Sequence, residues 1–377
     1  MTKESGNIGI YIHVPFCLSK CRYCDFYSVA GADDMLFDSY TDAVCRDLSA
    51  WHEEFGGRAD TIYFGGGTPS LLGARRIAKI IDCAARIYNI DLASAEITVE
   101  ANPDTVTDAL ASGLRFGGVN RLSLGLQSAD LRQLELLGRR HTPERAERAV
   151  ESALCAGIGN VSVDIMLGIM GQDVKSAIMT ADFAADLGVK HISAYMLKVE
   201  KGTPLYNEKG KYNIPGDDEV CDIYLNVCEE LEKRGLLQYE ISNFALPGFE
   251  CLHNLKYWKL EPYIGIGPAA HSCIGKSRFY YPRSLDEFMR KGHKALKLEE
   301  RCAGDIEEYV MLRLRLHDGI FLPALSEIYG TEVAERIFGR AEMLLKKGLV
   351  HISDGRIYLD RRGFLVSNSI IAYLLYE

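Results

Sequence analysis

Residues 11–28 read YIHVPFCLSKCRYCDFYS. An apolar β-type run ends at Val14 and Pro15, and a polar loop then delivers three cysteines, Cys17, Cys21 and Cys24, in the spacing C-x3-C-x2-C. Three thiolates on one loop can hold a cubane iron–sulfur cluster, but the usual ligation takes four cysteines, so one iron is left open to an outside ligand. Structural zinc is the competing reading. It prefers four protein ligands, and no second C-x2-C or C-x2-H pair supplies the rest. Three incidental core cysteines fit poorly, because a loop containing Lys20 is not a core segment. The other cysteines among the chain's 11 are scattered and read as small buried apolar residues.

Outward from this stretch, β-type runs alternate with segments of helical period. The spacing predicts strands over Gly9–Val14, Thr61–Phe64, Glu96–Glu100, Arg121–Leu126, Asn160–Leu167 and His191–Leu197. Helices are expected over Met35–Glu54, Arg75–Tyr88, Thr105–Phe116, Pro143–Ala156 and Val174–Leu187. Six such units in a row predict an α/β fold with a parallel sheet curled into a partial (β/α)6 barrel. A helix over Asp217–Arg234 then leads to a strand over Tyr239–Phe244. Expected domains are the barrel over 1–240, a connecting segment over 241–300 and a C-terminal α+β module over 301–377. In that module, helices over Ile306–Leu316, Leu322–Tyr329 and Thr331–Lys347 precede LVHISDGRIYLD, which reads as a hairpin around Asp354-Gly355. That order is winged-helix-like.

With 377 residues, 47% hydrophobic and 25% charged, the chain has the composition of an ordinary globular protein, which excludes disorder and a small disulfide scaffold. Its net charge of −9 argues against nucleic acid as a partner, and Glu327, Glu332, Glu335 and Glu342 dilute any basic reading helix in the module. The start, MTKESGN, is polar, and no apolar run reaches membrane-spanning length, so a cytoplasmic protein with reduced cysteines is expected. An acidic surface leaves peripheral membrane association and a homodimer open.

Barrel chemistry gathers where strands end. Gly65-Gly66-Gly67-Thr68-Pro69 follows the second strand, Glu100 ends the third, Gln127 the fourth, Asp164 lies in the fifth and Met196 near the end of the sixth. A Gly-rich turn permits a backbone approach that side chains would block.

The cysteine spacing after a first barrel strand resembles the radical S-adenosylmethionine (SAM) superfamily. The resemblance implies a [4Fe-4S] cluster on Cys17, Cys21 and Cys24, with SAM on the open iron as the source of a 5′-deoxyadenosyl radical. Within it, the chain is similar to the oxygen-independent coproporphyrinogen III oxidase family. Carried over by motif, Tyr11, Gly66 and Glu100 would contact a first SAM, and Gly67, Thr68, Gln127, Arg139 and Asp164 match positions that hold a second one in the oxidase. One departure is informative: the oxidase has a further cysteine two residues after the third, where this chain has Phe26.

A second block, YEISNFALPGFECLHNLKYWKLEPYIGIGPAAHS over 239–272, contains H-N-x-x-Y-W at His253 to Trp258. It resembles the signature of the heme-chaperone branch of that family. The implied function is uptake of heme and its delivery to acceptor proteins such as respiratory enzymes; the alternative is radical decarboxylation of coproporphyrinogen III, so enzymatic activity stays open. As residue chemistry, His253 could ligate heme iron while Tyr257 and Trp258 flank the porphyrin; Cys251 is a weaker candidate thiolate and His271 lies eighteen residues on.

Overall fold

The computed structural model describes residues 4–300 and 302–376; residues 1–3 of the polar start, and 301 and 377 at the ends of the expected C-terminal module, lie outside it. The first two thirds run β1 (Glu4–Val14), α1 (Asp34–Phe55), β2 (Gly56–Gly66), α2 (Gly73–Tyr88), β3 (Glu96–Ala101), α3 (Asp108–Phe116), β4 (Arg121–Gln127), α4 (Leu131–Leu137), α5 (Pro143–Cys155), β5 (Asn160–Leu167), α6 (Val174–Asp186), β6 (His191–Met196), α7 (Pro204–Glu208) and α8 (Asp217–Lys233). Strands β1 to β6 lie side by side in chain order and all pair parallel. Parallel neighbours need crossovers, and the amphipathic helices supply them. In α2, for example, Ile77, Ile80, Ile81, Ala84 and Tyr88 form one buried stripe. Each large apolar side chain on such a stripe contributes about 1.5–3 kcal/mol of burial.

The chain continues through β7 (Leu237–Gln238), β8 (Asn243–Ala245), α9 (Leu252–Lys259), β9 (Tyr263–Ile266), β10 (His271–Ile274), β11 (Ser277–Tyr280), α10 (Leu285–Lys291) and β12 (Lys297–Glu300). Residues 241–300, expected as a connecting segment, thus supply five strands of the barrel sheet itself. Strand β8 pairs antiparallel with β6, whereas β9 pairs parallel with β1 at the opposite edge, giving the order β12-β11-β10-β9-β1-β2-β3-β4-β5-β6-β8-β7. Each added strand has four residues or fewer, too short for alternation to register. The strand expected over Tyr239–Phe244 is broken, because Glu240 folds its carboxylate back onto the Ser242 amide at 3.1 Å. The helix expected from Thr105 starts later, where the Thr107 hydroxyl caps the Leu110 amide at 3.2 Å.

The C-terminal part contains α11 (Ile306–Arg313), β13 (Ile320–Phe321), α12 (Leu322–Tyr329), α13 (Thr331–Leu345), β14 (His351–Ser353), β15 (Arg356–Tyr358), α14 (Arg361–Leu365) and α15 (Ser367–Tyr376). The β14–β15 hairpin turns at Asp354 and Gly355, both with positive φ, as its Asp-Gly turn predicts. Strand β13 adds to β15, and Val310, Leu314, Ile337, Leu344, Phe364 and Leu374 build a separate core. Among the described residues no helix is long and apolar enough to cross a membrane.

Helix α9 lies against the beginnings of the parallel strands. Its N-terminal amides, on Leu252 and His253, donate to the two carboxylate oxygens of Glu96 at 3.0 and 2.9 Å, and Glu96 opens β3. A carboxylate at a helix N-terminus satisfies orphan donors and complements the helix dipole. Glu96→Ala should therefore cost about 2 kcal/mol of stability in urea unfolding. A loss below about 0.5 kcal/mol, the level of an ordinary surface change, would show that α9 is held by other contacts.

Candidate functional site

The loop after β1 is closed at its base. Phe16 and Val29 form an isolated bridge, with Cys17 N donating to Val29 O at 3.0 Å and Val29 N to Pro15 O at 2.6 Å. A second clamp holds its middle, where Arg22 N donates to Leu137 O at 3.1 Å and Leu205 N to Arg22 O at 2.9 Å. The turn after β2 is bonded to the same loop, Gly67 N to Val14 O at 2.8 Å and Thr68 N to Phe16 O at 2.7 Å. A Cβ on Gly67 would sit 2.6 Å from Phe16 O, so only glycine allows this approach.

These ties bring Cys17, Cys21 and Cys24 to one side of a cavity of about 400 Å³ at the C-terminal ends of the parallel strands. That size is within the range of small-molecule sites. Gly66, Gly67, Thr68, Glu100, Gln127, Arg139 and Asp164 also line it, so all the expected SAM residues but Tyr11 meet in one place. Tyr11 stands behind, its hydroxyl 3.2 Å from His13 Nδ1. Phe26, at the oxidase's cysteine position, lines the mouth and is 64% exposed.

The polar groups of the wall are prearranged. Glu100 accepts from the Tyr63 hydroxyl at 2.8 Å and from the Gly66 amide at 3.1 Å. Burial nevertheless pushes its carboxyl up to about 7. Asp164 accepts from the Ser123 hydroxyl at 3.2 Å and is raised in the same direction, again chiefly by burial. Arg139 donates to Gly125 O at 2.6 Å and reaches Cys21 Sγ at 3.5 Å, while its Nε is buried with no partner among the described residues. It is therefore no solvated neighbour of Arg140 but a cavity residue with a donor to spare. Gln127 has φ of 70°, a left-handed value that non-glycine residues rarely take, at the irregular step between β4 and β5.

The donor set suits thiolates that hold iron. Cys17 Sγ accepts from the Thr68 hydroxyl at 3.6 Å, and Cys21 Sγ from Arg139. Among the described residues no three His, Cys, Asp or Glu side chains converge on a single metal ion. A cubane asks for something different, one sulfur per iron, from three thiols spread along one loop.

Several lining residues were missed from sequence: Tyr63, Arg121, Ser123, Ser193, Tyr195 and Asn254. The signal was the period of two. In RLSLGLQ over 121–127, Arg121, Ser123, Gly125 and Gln127 alternate with leucines, which puts the polar set on the inner face of β4.

The structure does not bring the heme candidates to this cavity. His253 is fully buried at the opposite end of the strands, with Nδ1 2.8 Å from Thr61 Oγ1, Nε2 2.7 Å from the Tyr257 hydroxyl and its ring stacked on Tyr63 at 5.2 Å. Both ring nitrogens are spent, and burial lowers the imidazole to about 3. An axial ligand needs a free nitrogen at a surface or pocket, and in this structure His253 presents neither. Tyr257 is committed to His253 and to Tyr263, whose ring lies 4.5 Å away. Trp258 is half-buried on the same short helix. Cys251, fully buried, points its thiol at Glu96 at 3.6 Å and is likewise internal.

Comparison with known proteins agrees with this geometry. The family model for the radical SAM superfamily matches residues 11–184, and that for the HemN C-terminal domain matches residues 305–366. The Heme chaperone HemW of Escherichia coli is 38% identical over 98% of this chain and 98% of its own. The chain belongs to the HemW family. The HemW of Mycobacterium tuberculosis is 35% identical over 97% of this chain and 94% of its own. Among solved structures, coproporphyrinogen III oxidase (HemN) from Escherichia coli, described as a radical SAM enzyme, superposes with a TM-score of 0.84 over 99% of this chain and 90% of that one, at 20% identity. That likeness establishes the shared fold, including the C-terminal module.

A buried carboxyl with a raised pKa has a measurable signature. Between about 4.5, the ordinary glutamate value, and about 7, the folded chain holds on Glu100 a proton that the unfolded chain has released, so this group lowers stability as pH rises through that window. Glu100→Gln should therefore gain stability relative to the parent between pH 5 and 8, by on the order of 1–2 kcal/mol, since solvent in the cavity softens the full shift. A difference that stays flat with pH in urea titrations would show that Glu100 ionises as it does in water.

Proposed function

We propose that the chain is a cytoplasmic heme chaperone that carries a [4Fe-4S] cluster and SAM and passes heme to acceptor proteins such as respiratory enzymes. The observation that carries the reading is the cavity that joins three cysteines of one loop to two buried carboxyls and Arg139. The names of the HemW relatives support the cargo.

In this reading Cys17, Cys21 and Cys24 hold the cluster, and the Thr68 hydroxyl and Arg139 guanidinium stabilise sulfur charge. The chemistry that such a cluster supplies when bound is one-electron reduction of a sulfonium. SAM carries a sulfonium, an ammonium and a carboxylate, and the wall matches those charges. Glu100 and Asp164 would meet the cationic groups, and the Arg139 guanidinium would suit the carboxylate. The Gly66 amide keeps Glu100 in place, while Gly66, Gly67 and Thr68 let backbone rather than side chains border the ligand. Gln127 would complete the rim. Phe26 favours this reading over coproporphyrinogen decarboxylation, since the position offers the site an apolar ring instead of a thiol.

The test is anaerobic reconstitution with iron and sulfide, followed by hemin titration and by incubation with coproporphyrinogen III. The parent should turn brown, bind hemin and leave coproporphyrinogen intact. Cys21→Ser should lose most of the charge-transfer absorbance while circular dichroism and unfolding midpoint stay unchanged, because the loop lies outside the sheet. A colourless parent would overturn the cluster assignment, absence of hemin binding the chaperone assignment, and protoporphyrinogen formation would restore the oxidase.

A further inference from the structure

With His253 internal, a heme carrier needs another ligand, and the nine histidines differ in what their rings do: His52 and His317 lie against Tyr88 and Tyr358 with no ring hydrogen bond among the described residues, so no carboxylate fixes either ring. His13 and His191 are buried with both nitrogens bonded, like His253. His141 is buried on Leu126 O, and His293 commits Nε2 to Glu54 at 2.7 Å. His351 spends Nε2 on Asp360 at 3.3 Å, which leaves only the crowded nitrogen beside its own Cβ. His271 differs from all of these. Its side chain is 55% exposed, and Nδ1 lies 3.2 Å from a Glu299 carboxylate oxygen. A carboxylate only accepts, so Nδ1 carries the hydrogen and Nε2 keeps its lone pair, with no hydrogen-bond partner among the described residues.

Metal-ligating histidines have this arrangement: the far nitrogen donates to a carboxylate, which fixes the ring and raises the basicity of the nitrogen that faces the metal. The ring has a second support in Tyr280, its cross-strand partner on β11, stacked at 5.8 Å and 24°. Cationic and apolar groups for a porphyrin dianion stand nearby. Lys297 is exposed and pairs with Tyr280 on the next strand, and Arg283, three residues beyond Tyr280, bonds the carbonyl of Asp25, next to the exposed Phe26. Arg283 thus ties the segment after β11 to the loop at the mouth of the cysteine cavity.

We infer that His271 Nε2 is an axial ligand of the heme cargo, held in place by Glu299 as a positioning residue. The inference rests on the chaperone reading above and names the heme contact of that function. Neither residue belongs to the H-N-x-x-Y-W block that drew attention in the sequence.

The experiment is titration of the full-length protein with ferric hemin, followed by Soret absorbance and by redox titration of the bound heme. Replacing the surface residue, His271→Ala should retain the parent's circular dichroism, lose the histidine-ligated Soret band and weaken binding by at least about tenfold. Added imidazole should restore the band in His271→Gly. Glu299→Gln should keep the stoichiometry but raise the reduction potential of bound heme, because a less basic imidazole favours ferric iron less. If the parent binds hemin and His271→Ala binds it with the same spectrum and affinity, the assignment is overturned while the chaperone reading stands. If the parent binds none, the chaperone reading falls and this inference with it.

Discussion

Two backbone hydrogen bonds, from Gly67 and Thr68 to the carbonyls of Val14 and Phe16, fasten the first two strand-end loops together. Everything at the site follows from that tie. It fixes where the chain leaves β1, so the cysteine loop must project over the strand ends rather than fold away from them. It also demands a residue without a side chain at position 67, because any Cβ there overlaps the Phe16 carbonyl. The Phe16–Val29 bridge then closes the loop, and the thiols face a wall built by β3, β4 and β5.

The wall itself obeys the parallel sheet. When all strands run the same way, alternate residues of each point inward, and the last inward residues gather around one opening. Glu100, Gln127 and Asp164 occupy such positions and were legible as polar residues that end or interrupt apolar strands. Ser123 and Ser193 are level with Glu100 and Asp164 on the neighbouring strands, and Arg121 lies one step deeper. They are harder to read, because a polar residue inside a strand looks the same in sequence whether it lines a cavity or satisfies a buried partner. Arg139 illustrates the converse: its GRRH context suits a solvated helix end, and only the short α4, missed in the sequence, turns it inward.

The six parallel units were legible because each pairs a strand with a helix of clear period. The sheet's extension over β8 to β12 was not, since its strands are short and the chain reaches the far edge beside β1 only after a helix. The H-N-x-x-Y-W block lies within this extension. A histidine flanked by aromatics suggests a porphyrin contact, yet α9 is drawn against the strand beginnings by Glu96, and burial there uses every ring nitrogen of His253. The opposite outcome at His271 is also a matter of place. His271 opens β10 with its side chain exposed, and a carboxylate on β12, beyond the intervening β11, leaves the outer nitrogen unspent.

The account depends most on whether the trio of thiolates leaves one iron available. Electron paramagnetic resonance of the reconstituted, dithionite-reduced protein, recorded before and after addition of SAM, addresses this directly. A single reduced-cluster signal whose g-values shift when SAM is added is the expected result. A spectrum that is silent, or one that SAM leaves unchanged, would contradict an open iron at Cys17, Cys21 and Cys24.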